Sequence, residues 1–98
     1  MRGIRLGGAI HEKRREEGMN NQEVGRALRE IRHQAGVQQD LVAKHAGYEQ
    51  PHISRMEYGL TPVTMSALCG YAKATRNVDG VLRVVASVLG VDSKNRVS

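Results

Sequence analysis

Phenylalanine and tryptophan are absent from this chain, and three tyrosines are its only aromatic residues besides histidine. A core must therefore be assembled from Leu, Ile, Val, Met and Ala, a mixture that suits close-packed helices. The single cysteine, Cys69, excludes an intramolecular disulfide and fits a reducing compartment. No apolar run approaches the roughly 20 residues that span a bilayer. Arg2, Arg5, His11 and Glu12 interrupt the stretch where a secretory leader would need apolar residues. The expectation is a soluble, cytoplasmic protein with no membrane association. No Gly-rich phosphate loop follows a strand, and no Ser–His–Asp or paired-carboxylate arrangement can be argued, so an enzyme is not expected and no cofactor is implied. His11, His33, His45, His52 and Cys69 match no zinc spacing. Cys69 is expected on the inward face of a helix, as a small buried hydrophobe.

What the chain does have is positive charge: 15 Lys and Arg against 10 Asp and Glu, a formal net charge of +5 over 98 residues. That excess raises the odds of a polyanionic partner. The charges are spread along the chain rather than gathered in a basic tail. The length fits one compact domain. A domain of this size buries only about 60–65% of its unfolded surface, so association with a second copy would add stability.

Residues 1–20 are rich in Gly and charge and read as an arm or an extra N-terminal helix. The arm's cations, Arg2, Arg5, Lys13, Arg14 and Arg15, are expected to form a solvated tail, the alternatives being to follow a phosphate backbone or to enter a minor groove. Within it, Leu6-Gly7-Gly8-Ala9-Ile10-His11-Glu12-Lys13-Arg14 resembles Val24-Gly25-Arg26-Ala27-Leu28-Arg29-Glu30-Ile31-Arg32, and Gly18-Met19 echoes Gly36-Val37 at the same offset. Either the first helix is duplicated or the likeness is fortuitous in a chain with many Arg, Glu and Gly.

The helical signal strengthens at Asn21, a candidate N-cap with Glu23 behind it. Val24, Ala27, Leu28, Ile31 and Ala35 recur at three- and four-residue spacing, one buried helix face, and Gly36 supplies the stop. A second helix is expected at 39–46, burying Leu41, Val42 and Ala46 and ending at Gly47. A third runs from Gln50 to Tyr58, burying Ile53 and Met56, with Pro51 in its first turn. Thr61-Pro62 signals a fourth over 62–74, with Met65, Leu68, Cys69 and Ala72 inward. Asp79 would cap a fifth over 80–89, and 91–98 reads as a polar tail. No useful strand alternation occurs. The fold class is all-α, with five helices and short connections.

Residues 36–59 hold two short helices joined by a tight turn, the layout of a helix-turn-helix. Ala43 is small where the helices cross, Gly47 tolerates the turn's positive φ, and Ile53 anchors the second helix. The run Leu28-Arg29-Glu30-Ile31-Arg32, Gly36-Val37, Gln39, Leu41, Ala43, Gly47, Ile53-Ser54-Arg55-Met56-Glu57, Gly59, Pro62 resembles, in order and spacing, the lambda-repressor-like, Cro-type helix-turn-helix family. The likeness covers about two-thirds of the chain, from 21 to 89. It departs from the pattern at Gln38 and Glu49, where the family favours Ser or Thr caps, and at Thr75-Arg76-Asn77, where Leu-Gly-Val is usual.

The resemblance implies that the second helix of the motif enters the DNA major groove. Gln50, Pro51, His52 and Arg55 would face base edges: Gln toward adenine, Arg toward guanine, Pro51 toward a thymine methyl. Lys44 and Ser54 would meet phosphates, and Gln39 would bond one near a helix N-terminus. Glu49 would cap the reading helix or accept from a cytosine amino group. Arg32 and Glu57 match a structural ion pair. On the fifth helix, Val81, Leu82, Val84, Val85, Val88 and Leu89 spread around more than one face, a surplus for a core helix. A homodimer interface through Val81, Leu82, Val85, Val88 and Leu89 would cover it. The resulting expectation is a helix-turn-helix DNA-binding domain at 21–90 with a C-terminal dimerisation helix. Its role would be that of a homodimeric repressor of an inverted-repeat operator in double-stranded DNA. The rival is a protein-interaction module or antitoxin on the same fold.

Overall fold

The computed structural model describes residues 19–90. Five helices make up the regular structure within that span: α1 (Asn21–Gln34), α2 (Gln39–Ala46), α3 (Gln50–Glu57), α4 (Met65–Thr75) and α5 (Val78–Val88). The tail at 91–98, the repeat's first copy and nearly all of the arm or extra helix at 1–20 lie outside the described residues.

Helix α1 starts one residue earlier than its composition suggests. Asn20, not Asn21, is the N-cap: its side chain accepts from Glu23 N at 2.9 Å, and Glu23 Oε1 accepts from Asn20 N at 3.0 Å. Two orphan amides are thus satisfied reciprocally, a capping box. Val24, Leu28 and Ile31 point inward as their spacing requires, while Ala35 is an exposed C-cap. On α2 the inward residues are Val42 and Ala43, and Leu41 turns largely outward. Gly47 ends α2 at φ 79°, a left-handed value that a Cβ would penalise. From there the chain turns directly into α3, whose Ile53 and Met56 lock onto the core.

The C-terminal half corrects the sequence reading. Thr64 rather than Thr61 caps α4, accepting from Ala67 N, so the helix begins at Met65 and Pro62 remains in the preceding loop. With that start, Ala67, Gly70 and Tyr71 face inward, Leu68 and Ala72 are half-buried, and Met65 and Cys69 are exposed. At α5 the cap is Asn77, whose side chain accepts from Gly80 N at 2.9 Å, not Asp79. Val81 and Val84 complete a core shared with Val24, Leu28, Ile31, Val42, Ala43, Ile53 and Tyr71.

Helix α1 rests on the end of α3 with almost no separation. A Cβ on Gly25 would collide with the carbonyl oxygens of Met56 and Glu57, which are backbone and cannot swing aside. At an exposed helical position Gly→Ala stabilises by about 1 kcal/mol. Here Gly25→Ala is expected to lower stability by about 1–3 kcal/mol, the usual cost of overpacking, measured by urea denaturation.

Candidate nucleic-acid interface

The exposed edge of α3 is built from its first two turns. Gln50, Pro51, His52 and Arg55 are all exposed, with Glu49 and Lys44 exposed beside them; Ser54 and Gln39 are half-buried. Ile53, Met56 and Glu57 occupy the opposite face and are buried. Pro51 sits in the first helical turn, where its missing N–H leaves no gap. Neither Gln38 nor Glu49 makes a side-chain capping bond, so Glu49 does not cap the helix, and its carboxylate is open to solvent.

Behind this edge lies a buried polar cluster centred on Glu57. Arg32 grips its carboxylate with two bonds, Nε to Oε2 at 2.7 Å and Nη2 to Oε1 at 2.9 Å. The expected Arg32–Glu57 pair is therefore present, joining α1 to the end of α3. Tyr71 OH donates to Oε2 at 2.6 Å, and Gln39 Nε2 donates to Oε1 at 2.9 Å. Arg32 also donates to the Val37 carbonyl at 3.0 Å. Burial pushes the Glu57 carboxyl upward, but donation from Arg32, Tyr71 and Gln39, with the Arg32 charge, outweighs it and holds Glu57 below its ordinary range. The Arg32 guanidinium is pushed above its ordinary range, chiefly by its bond to Glu57. Burial, then the neighbouring carboxylate, drives the Tyr71 phenol strongly upward, so it stays a donor.

The cluster reaches the surface through Gln39, whose amide oxygen accepts from Gln50 Nε2. Gln39 thus spends one N–H on Glu57 and its oxygen on Gln50. Gln50 keeps Oε1 and one N–H, the acceptor–donor pair that the adenine edge requires. A second contact set flanks the same edge. The rings of Tyr48 and His52 stack at 5.5 Å with an interplanar angle of 23°. Tyr48 OH and Thr64 Oγ1 share a hydrogen bond of 2.7 Å. Tyr71, Tyr48 and Thr64 had no assigned place in the sequence reading. Tyr71 reaches Glu57 because the face of α4 that carries Ala67, Gly70 and Tyr71 turns inward.

On α5, Val81 is buried in the core and is removed from the expected dimer face. Leu82, Val88 and Leu89 are exposed and Val85 is half-buried. Val78, also exposed, extends them into a stripe, Val78-Leu82-Val85-Leu89, on one helix face. Beside it an open apolar groove of about 150 Å³ is lined by Val24, Pro62, Val63 and Leu68 together with Val84, Val85, Val88 and Leu89. Among the described residues no three His, Cys, Asp or Glu side chains gather as metal ligands, and no helix is long and apolar enough to cross a membrane.

Comparison with curated proteins and with solved structures returns no match. A family model does match: that of a helix-turn-helix domain, over residues 23–97, which takes in most of α1, all of the later helices, the Gly47 turn and the exposed α3 edge. The chain belongs to this helix-turn-helix domain family, whose fold is the one a DNA-binding regulator uses.

Proposed function

We propose that the protein is a homodimeric transcriptional repressor that reads an inverted-repeat operator by laying α3 in the major groove. The observation that carries this reading is the two-sidedness of α3. Its apolar side and Glu57 are immobilised in the core, while Gln50, Pro51, His52 and Arg55 are exposed on the other side. Arg55 offers a bidentate donor to guanine and Gln50 an oriented amide to adenine. Glu49 accepts from a cytosine amino group. Lys44, Ser54 and the remaining N–H of Gln39 bond phosphates, fixing register without reading sequence.

Dimerisation through Leu82, Val85, Val88 and Leu89, with Val78 added and Val81 withdrawn, sets two α3 helices about 34 Å apart for successive half-sites. Binding of such a dimer blocks access to a promoter.

Selection of bound sites from random duplexes tests the reading. A palindrome with fixed half-site spacing is expected, with affinity falling steeply as salt rises. Micromolar binding that ignores sequence would instead favour a protein-docking role. Arg55→Ala is expected to relax one base position in each half-site by about 1–3 kcal/mol, roughly 5- to 150-fold. Its circular dichroism and melting should match the parent. Unfolding by this exposed substitution would contradict its assignment to the reading edge.

A further inference from the structure

We infer that Tyr48 is a specificity-positioning residue: it presents the His52 imidazole to the bases in one fixed orientation. The inference rests on the DNA-reading assignment of α3 and adds a residue that does not itself belong to that edge.

His52 is exposed on the first turns of α3, and neither of its ring nitrogens is hydrogen-bonded within the described residues. Left alone, such a side chain would sample several rotamers and would lose that freedom on binding. The near-parallel stack on Tyr48 removes it beforehand, since it engages the ring face and leaves both nitrogens available. A stack orients only if its platform is itself held, and Tyr48 is held twice. Its backbone N donates to Ala43 O at 2.9 Å, tying it to the end of α2. Its hydroxyl is bound to Thr64 Oγ1, the same oxygen that caps α4 by accepting from Ala67 N at 3.2 Å. The ring is also half-buried against the core. The line of contacts runs from the α4 cap through the Tyr48 ring to the imidazole. The orientation of a base-reading group is thereby referred to the scaffold. Imidazole can donate or accept depending on which nitrogen carries the proton, so a fixed ring plane is what converts it into a discriminating contact.

The test compares Tyr48→Phe, Tyr48→Leu and His52→Ala, alone and combined, against the selected operator and duplexes altered at each base pair. Tyr48→Leu retains apolar packing but lacks the stack, and should lose about 2- to 10-fold of discrimination, the size of an aromatic pair's contribution. That loss should fall at the base pair His52→Ala relaxes, and should vanish in the His52→Ala background. Tyr48→Phe retains the stack and should keep most of the discrimination. The slope of affinity against salt should not move in any of them, because no phosphate contact is removed. Equal discrimination by Tyr48→Leu and the parent would overturn the inference. So would a uniform loss over all duplexes with a shallower salt slope, the signature of a phosphate contact. Both of these leave the repressor reading standing. Absence of any sequence preference in the parent protein would remove both.

Discussion

Glu57→Ala is expected to remove most of the domain's stability, although the residue touches no DNA in the proposed complex. The carboxylate accepts from Arg32 twice, from Tyr71 and from Gln39, with its side chain only 1% exposed. Its removal strands a guanidinium in the interior and orphans a phenol on a residue with no exposed surface. Breaking a buried pair by deleting one partner costs about 3–5 kcal/mol. Whole-domain stabilities are only about 5–15 kcal/mol, and a small domain falls at the low end. Urea denaturation with and without operator DNA measures the loss.

Glu57→Gln, which preserves shape but turns an amide N–H2 toward partners that all donate and leaves Arg32 without its counter-charge, should also destabilise and should alter the acid limb in a diagnostic way. The folded-state Glu57 carboxyl titrates below its ordinary value of 4.5. Its contribution to stability is therefore complete above that value and is lost as pH falls through the folded-state value. Acid unfolding of the parent should steepen below about pH 4.5, and Glu57→Gln should flatten that limb. An unchanged limb would mean the carboxylate is not the group whose protonation loosens the fold. Tyr71 and Arg32 add nothing to this window, since both are shifted upward and keep their protons throughout it.

Leu82→Glu is expected to produce the largest functional loss. Leu82 is 57% exposed on the α5 stripe, so a charge there faces water in the monomer and costs the fold little. In a two-fold interface the same charge meets its own copy and must be desolvated. The variant should sediment as a monomer, melt near the parent temperature and bind a single half-site with parental affinity. Its affinity for the full palindrome should drop about 10²–10⁴-fold, because the second half-site no longer binds as an intramolecular event. Val81→Glu is the control: at 4% exposure it should unfold the domain. A dimeric Leu82→Glu protein would place the interface elsewhere.

The exposed edge of α3 was legible in the sequence because a helix-turn-helix is specified locally. Gly47 marks the turn, Pro51 the first turn of α3, and the spacing of Ile53 and Met56 leaves the 50, 52 and 55 positions on the outer side. The Arg32–Glu57 pair came from the resemblance, which carries information about contacts that periodicity alone lacks. The fourth helix was misplaced for a local reason. Thr61-Pro62 and Thr64 are both acceptable starts, and apolar residues lie on two sides of the helix, so spacing alone does not decide whether the face of 65, 68, 69 and 72 or that of 67, 70 and 71 turns inward. Packing against the core selects the second, which leaves Cys69 and Met65 exposed and turns in Tyr71.

Sequence alone determined the all-α class, the order of the helices and the surface of α3, since each follows from the spacing of apolar residues and from stops that glycine provides. Tertiary packing decided which of two apolar faces of α5 turns inward, leaving Val81 in the core and Val78 outside. It also decided that Gly25 must lack a side chain and that Tyr71, Gln39 and Gln50 join the Arg32–Glu57 pair. The physical reason is one of range. Periodicity records how a residue relates to its own helix, whereas burial and hydrogen-bond partners depend on the distance and rotation of helices far apart in the chain.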